Sequence, residues 1–419
     1  MIDTTTPGFG CLLTWCAFAW LMLLPLAAAA GVASPGWKPH LIRQGDGKGG
    51  WTLKEAQYQI LRYRVKGWTG GYGVAQMDNG EIVVVGTCDP GQSLWYGGGK
   101  GELTLIAFSR DRGDTWTQLE PIAGVTGRPM MLAYLGSGRL TFVTGNKRYF
   151  SADYGRTWPQ SIPMPAANDG TVWVNEGNPL VDRDDQGNVV RMAECLLNPN
   201  PTAVKHIVAN DFVIKLEPHA LIRWSDDGGR TWRDEVKPQG WSWQDTYKGE
   251  PITRWVSEAS VIRADNGWLV AALRTDMPAR FVETPNSDQM CGTGTSISKD
   301  DGRTWSPMQV LFPAGRMHAH LVKTPKGDLV MTVTVRHDME DGKLATYRRG
   351  CEAIVSRDHG LTWDLEHKAV LDEWQFYDRF SPVVGQTGHL YATVLDDGSI
   401  LTVHNNYLTM GMSLIRWRP

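Results

Sequence analysis

One eight-residue phrase, Ser-x-Asp-x-Gly-x-Thr-Trp, recurs five times in this chain. It stands at Ser109–Trp116, Ser151–Trp158, Ser225–Trp232, Ser298–Trp305 and Ser356–Trp363. Successive copies begin 42, 74, 73 and 58 residues apart. Each copy encodes a tight turn. Ser and Asp side chains bond to backbone N–H groups a few residues on. Gly supplies a conformation that other residues resist, and Trp begins the next strand with a large apolar face. The five carboxylates, Asp111, Asp153, Asp227, Asp300 and Asp358, therefore read as structural staples and not as catalytic acids. Repeats at such periods mean a propeller, a solenoid or an array.

A second pattern runs between the boxes. The apolar run Tyr72–Met77 meets a turn at Asp78-Asn79-Gly80, returns as Glu81–Val85, and is followed by Leu103–Phe108 and the first box. The same hairpin recurs around Gly138, Gly267, Gly327 and Gly398, with a less regular copy near Asp184–Gly187. Apolar runs bounded by Asp, Asn and Gly turns are the hairpin signal. No helical period of useful length follows residue 34. The expectation is an all-β, six-bladed β-propeller with Asp-box turns over residues 58–419, preceded by an N-terminal segment over 35–57. The last unit lacks a box and ends at Met412–Trp417. Its missing strand is expected from within Tyr58–Val65, which closes the sheet without a bare edge.

Residues Cys11–Ala30 are apolar and uncharged and end in four Ala. They read as the core of a signal peptide over 1–34, cleaved near Ala30 or Ser34. An uncleaved anchor is the competing reading, because about 20 apolar residues span a bilayer. The expected location is secreted or periplasmic, with membrane contact only if that segment stays. Cys88, Cys195, Cys291 and Cys351 remain, in spacings that match no metal site; no metal or cofactor is expected. The net charge of -3 carries no basic stripe, so no nucleic acid is expected as partner.

The turn glycines act as a ruler for the site. In each unit the start of the first strand and the end of the second open on one face, away from the boxes. Counting from each Gly places Tyr72 and Asp89 there from the first unit, and Arg128 from the second. The third gives Glu176, Asn178 and Glu194. The fourth gives Glu258, Arg274 and Asp276. The fifth gives His318, His320, Arg336 and His337, and the sixth His389, Asn405 and Asn406. Charged groups gathered at an enclosed point imply partners or a ligand.

At these residues the chain resembles a family. The boxes resemble those of the Asp-box, or BNR-repeat, proteins, of which the sialidases are best known. The stretch Ser257–Asp276, SEASVIRADNGWLVAALRTD, is similar to the sialidase segment that carries a Glu and an anion-binding Arg, here Glu258 and Arg274. Arg316–Asp338 and Gly388–Tyr407 look like a bacterial group of sialidase-like exported proteins. The resemblance implies an exo-glycosidase acting on a terminal acidic sugar of a glycan. It implies Asp89 as acid, Glu258 as base or assistant, and Arg274 with Arg128 and Arg348 or Arg349 as carboxylate clamp. Glu176, His318 and Tyr391 join the substrate-binding set. Where the family has a Tyr nucleophile this chain has His389, with Tyr391 two residues on. Two other readings stand beside it: a glycosidase or polysaccharide lyase that uses His389, His320 or His318 as acid or base, and a non-catalytic glycan-binding propeller.

The N-terminal reading has a direct test. N-terminal sequencing of the exported protein is expected to find a first residue between Gly31 and Trp37. A membrane-bound chain beginning at Met1 would mean an anchor.

Overall fold

The computed structural model describes residues 36–90, 101–170, 177–184, 186–197, 220–247, 249–276, 291–340, 343–375, 387–406 and 408–419. The segment read as a signal peptide, and Glu176, lie outside them. The described chain is all-β apart from one turn of 3-10 helix at Gln239–Trp241.

Six antiparallel units follow one another. The first pairs Gly67–Gln76, Ile82–Pro90, Leu103–Ser109 and Glu120–Thr126 in chain order. The second runs from Met130–Tyr134 to Gln160–Pro163, and the third from Leu180–Arg183 to Arg233–Val236. The fourth adds an extra leading strand, Ser242–Tyr247, to Glu250–Arg263, Leu269–Asp276, Gly292–Ser298 and Gln309–Phe312. The fifth joins Arg316–Lys323, Leu329–Val335, Arg348–Ser356 and Ala369–Gln375. The sixth joins Thr387–Val394, Ile400–Asn406 and Gly411–Trp417 to Trp51–Leu61. That N-terminal strand pairs through Gln57–Leu61, close to the expected Tyr58–Val65. It begins earlier, at Trp51, so the expected boundary at 57/58 falls inside one strand. Its own hairpin partner, Lys38–Gly45, touches the fifth unit at Arg43 and Gln44 and joins the last two units into one sheet.

Each unit buries an apolar face against the next. Val83 and Val85 of the first pack with Leu140 and Phe142 of the second. Ala133 of the second packs with Met192 of the third, and Ile222 of the third with Leu269 of the fourth. Val270 meets Met331, and Val330 meets Ile400. Leu401 and Met412 of the sixth return to Ile82 and Val84 of the first. The order of packing is therefore cyclic. The four cysteines Cys88, Cys195, Cys291 and Cys351 are buried free thiols. They belong to four different units, which is why none pairs with another.

The boxes form one recurring bond set. In each, the Ser hydroxyl accepts the Gly N–H, at 2.7–2.9 Å. The Asp carboxylate accepts the Thr N–H, at 2.8–2.9 Å, and the Thr hydroxyl, at 2.5–2.6 Å. The five Gly residues have φ between 81° and 95°, the left-handed region that a side chain resists. Gly360 has a second reason, since a Cβ there would lie 2.7 Å from Val270.

Burial opposes ionisation of Asp111, Asp153, Asp227 and Asp358, but the Thr and Ser hydrogen bonds outweigh it and hold these carboxyls below their usual range. In Asp300 the Thr304 hydroxyl bond dominates and lowers the carboxyl to about 2. A carboxyl depressed on folding stabilises above its unfolded pKa of about 3.9, and that contribution is lost as pH falls through the folded value. Acid unfolding is thus expected to set in below about pH 4 and to be less steep in Asp300→Asn, as followed by circular dichroism. The Trp should matter more than the Asp. Asp227 is exposed, so Asp227→Ala is expected to cost only about 1 kcal/mol. Trp158 is 9% exposed, and Trp158→Ala is expected to cost about 3–5 kcal/mol in denaturant unfolding. Equal effects would mean that the turn bonds, and not the packing, carry the box.

Candidate functional site

The site is built on a repeated irregularity. Five first strands carry a register shift in the half remote from their Gly turn. The shifts fall between Gly71 and Gly73, Met130 and Ala133, Val256 and Ala259, Met317 and His320, and Thr387 and Leu390. A bulge adds a residue to one strand and re-aims its side chain. The residues caught in these bulges include Tyr72, Glu258, His318 and His389. His318 takes a φ of 51°, a region rarely used by a side-chain-bearing residue and costing about 1–3 kcal/mol.

Glu258 is the hub. It is 4% exposed. Its Oε1 accepts from Nη1 of Arg274 at 2.8 Å, and its Oε2 meets Nδ1 of His318. The far nitrogen of that ring, Nε2, lies 3.3 Å from Nη2 of Arg336. A guanidinium only donates, so Nε2 accepts, and the His318 proton sits on Nδ1, facing Glu258. Arg274 is held from its other side. Its Nε donates to Asp276 Oδ1 at 3.0 Å, and Nη2 lies 3.1 Å from Cys291 Sγ. The thiol in turn donates to Asp276 at 2.9 Å, and Ser257 donates to the other Asp276 oxygen at 2.6 Å.

His389 lies against this cluster. Its ring centroid is 4.3 Å from that of His318 and 5.5 Å from that of Tyr72. Arg128 stands over the Tyr72 ring at 5.2 Å. Burial drives the His389 pKa well below its ordinary 6.5, and His318, Arg128, Arg336 and Arg274 push it the same way. The ring is therefore neutral at physiological pH, beside three guanidinium groups. Gly177, Asn178, Glu258, His318, His389 and Tyr391 line a small pocket here. A larger cleft lies beside the first box, but its charges are already paired: Arg112 with Asp396, Arg416 with Asp114, and Arg418 with Asp397.

The structure thus brings together Glu258, Arg274, His318 and His389, with Arg128 beside them. It adds Arg336, Asp276 and Cys291. The first two sit at strand ends that the ruler marks; Cys291 has no sequence signal. Other candidates lie elsewhere. His320 is half-buried, and its Nδ1 accepts the backbone N–H of Ala392 at 2.6 Å. Burial lowers its pKa to about 3. It stitches the fifth unit to the sixth rather than carrying a proton. The bulge is the reason: with an extra residue between Met317 and His320, His318 and His320 no longer share a direction. Tyr391, by contrast, stays at the pocket, its ring 6.5 Å from that of His389, although it is 3% exposed and its hydroxyl reaches Met130 Sδ at 3.7 Å. Arg348 is taken up by Asp338 and Glu352 at 2.6–2.9 Å, in an ion cluster with Arg316. Arg349 donates to the carbonyl of Arg336. Glu194, placed at the site by the ruler, is buried between Arg148 and Arg223 and acts as internal counter-charge. Asp89 pairs with Trp68 across the first unit. Among the described residues, no hydrogen bond or ion pair joins it to Glu258, Arg274 or His389. Among the described residues no group of side chains is arranged to hold a metal ion.

Comparisons with known proteins bear on the fold. No family model and no curated protein matches this chain. A crystal structure of a protein of unknown function from Dyadobacter fermentans aligns with a TM-score of 0.58 and 17% identity, over 86% of this chain and 98% of that one. That likeness shows a shared fold and assigns no activity. A sialidase from Trypanosoma rangeli aligns at 0.47 and 14% identity, over 91% of this chain and 58% of that one. An α-L-arabinofuranosidase of Fusarium graminearum aligns at 0.48 and 12%, over 84% and 92%. Superpositions this loose add nothing about the site.

If Glu258 is the hub, removing it and altering it should differ. Glu258→Ala removes the carboxylate that Arg274 and the buried His318 share and is expected to cost about 3–5 kcal/mol in denaturant unfolding. Glu258→Gln keeps the shape and should cost clearly less. Equal unfolding midpoints for parent and Glu258→Ala would show that the cluster is not coupled.

Proposed function

We propose that the six units are the blades of a six-bladed propeller, and that the chain is an exported enzyme acting on a carboxylate-bearing terminal sugar of a glycan. One observation carries this reading. Three guanidinium groups, Arg128, Arg274 and Arg336, stand around a neutral His389 and a His318–Glu258 dyad, and these last three are set on first-strand bulges. Arg groups suit a carboxylate, which they bind as a planar fork. A neutral imidazole beside them is a base that can take a proton at ordinary pH.

In the hydrolytic reading, the Arg groups fix the sugar carboxylate and His389 takes the proton of the attacking water. The proton on His318 Nδ1 stays oriented by Glu258. Asp89 is the proposed proton donor to the leaving group. Acid and base flank the scissile bond and need not touch each other. A second reading has support from the same groups. A carboxylate neutralised by Arg, with a neutral His near it, is also what elimination from a uronate requires. Sialidase activity itself would need the His pair to do what a Tyr does in that family.

A screen of fluorogenic sialosides and acidic polysaccharides separates these readings. Hydrolysis releases single sugars; elimination gives an unsaturated product that absorbs in the ultraviolet; a binding module does neither, yet binds. On whichever substrate is turned over, Glu258→Gln combined with His389→Ala is expected to abolish turnover, and retained turnover would sink the assignment. The pH profile adds a sign. Burial first, and the Arg groups with it, lower the His389 pKa, so the acidic limb of kcat/KM should lie below the free value of about 6.5. A bound carboxylate offsets those cations, so the limb of kcat should lie at higher pH. A limb that stays in place on binding would count against a carboxylate in contact with the Arg groups.

A further inference from the structure

Gly177 and Asn178, just ahead of the third unit's strand Leu180–Arg183, reach the candidate pocket without belonging to its charged cluster. They dock on the first strand of the fourth unit. The N–H of Asn178 donates to the carbonyl of Ala259 at 3.0 Å, and Asn178 bridges Ser260 in parallel. The approach is close enough to demand glycine beside it. A Cβ on Gly177 would lie 2.1 Å from the carbonyl oxygen of Ala259. Ser260 in turn accepts the N–H of Leu321, on the first strand of the fifth unit, at 3.0 Å. The backbone of Asn178 is thus tied to the two strands whose bulges carry Glu258 and His318, and a side chain held on such a frame is placed before a ligand arrives.

Most polar side-chain atoms lining this pocket are already engaged. Glu258 meets Arg274 through Oε1 and His318 through Oε2. The far nitrogen of His318 faces Arg336, and the Tyr391 hydroxyl reaches Met130. Two groups differ. The bond from Asn405 to His389 ends on the backbone carbonyl, and that from Asn178 to Ala259 starts from the backbone N–H. Among the described residues, neither the His389 ring nor the Asn178 carboxamide makes a hydrogen bond, and both residues are half-buried at the pocket. His389 is the proposed base. Asn178 is left to meet the rest of the ligand. A carboxamide offers two N–H donors and a carbonyl acceptor. A carboxylate uses only the donors, and an ammonium only the acceptor. A sugar hydroxyl both donates and accepts, and so matches both ends. The Arg groups tell a charged sugar from a neutral one, but charge alone does not tell two acidic sugars apart.

We infer that Asn178 is a specificity-determining residue of this pocket: its carboxamide bonds one ring hydroxyl of the bound sugar and separates acidic sugars of equal charge. The inference deepens the reading of the site as one for an acidic sugar and rests on it. A site built to bond a hydroxyl rejects the analogue that lacks it, because the protein's own polar group is left unpaired.

A cycle between protein and ligand tests it on the full chain, with binding followed by titration calorimetry. The probes are the methyl glycosides of N-acetylneuraminate, glucuronate and galacturonate, with methyl glucoside and methyl galactoside as neutral partners. The tightest acidic binder is then taken as a series of single-deoxy analogues. In the parent, removal of one ring hydroxyl is expected to weaken binding roughly tenfold. In Asn178→Ala the same removal should change nothing, because its partner is already gone, while the other deoxy analogues should behave as they do with the parent. The Asn178 side chain holds no other group in place, so this variant should keep the parent's melting temperature. A deoxy series that responds alike in parent and Asn178→Ala overturns the role of Asn178 and leaves the acidic-sugar reading standing. Neutral glycosides that bind as tightly as the acidic ones overturn that reading, and the inference with it. A parent that binds none of these sugars overturns both.

Discussion

A β-bulge in the half of the first strand remote from its Gly turn, present in five of the six units, is the constraint on which most of this structure depends. An extra residue in an antiparallel pair cannot keep its place in the ladder. Its side chain is re-aimed, and backbone groups beside it lose their sheet partners. Both consequences are used. The re-aimed side chains are Tyr72, Glu258, His318 and His389, which form the candidate site. The freed backbone is capped from the neighbouring unit. Asn405 accepts from the N–H of Gly71 at 2.8 Å and donates to its carbonyl at 3.1 Å. Ser260 accepts the N–H of Leu321 at 3.0 Å, and His320 accepts that of Ala392. Buried backbone groups need partners, and here the same bulges that build the site also sew the units together.

Buried charge in this protein falls into two kinds. Glu194 lies between Arg148 and Arg223, all three at most 2% exposed, and Trp232 covers both guanidinium groups at about 5 Å. Glu352 is held at about 2, because Arg316, Lys368 and Arg348 outweigh the opposing effect of burial. These clusters sit between or within sheets, and their charges are engaged with one another. The Glu258 cluster is built differently. Two carboxylates, Glu258 and Asp276, are shared around a single Arg274, while Arg336 and Arg128 add positive charge next to neutral imidazoles. Guanidinium groups gathered at a low-dielectric point are where an anionic group gains most. The pocket lined by Glu258, His318 and His389, rather than the number of charges, separates the candidate site from the structural ion pairs.

The first and last strands meet in one sheet, and the N-terminal hairpin covers the joint. Gln57–Leu61 pairs with Met412–Arg416, so residues more than 350 apart in sequence share a ladder. The closing contacts tie together segments that are distant along the chain, which makes the N-terminal strand part of the fold and not an appendage to it. The hairpin then projects its outer face into solvent at the edge of the fifth and sixth units.

Much of this was legible in the sequence. The boxes, the Gly turns and the apolar runs between them determined an all-β chain of repeated antiparallel units, because those signals are local: each turn is specified by the residues inside it. The same repeat made Glu258, Arg274, His318 and His389 candidates for one face. The sequence did not carry the bulges. A shift of one residue flips side chains to the other face, and no local signal marks where such a shift occurs. That is why His320, expected beside His318, was turned to sewing strands. Glu194 and Arg348 lie at strand ends like the true members of the cluster, and only the neighbouring units, supplying Arg148 or Asp338 and Glu352, decided that their charges would be spent internally. Contacts between units are set by packing across the fold, and packing is a property of the tertiary structure that no single repeat contains.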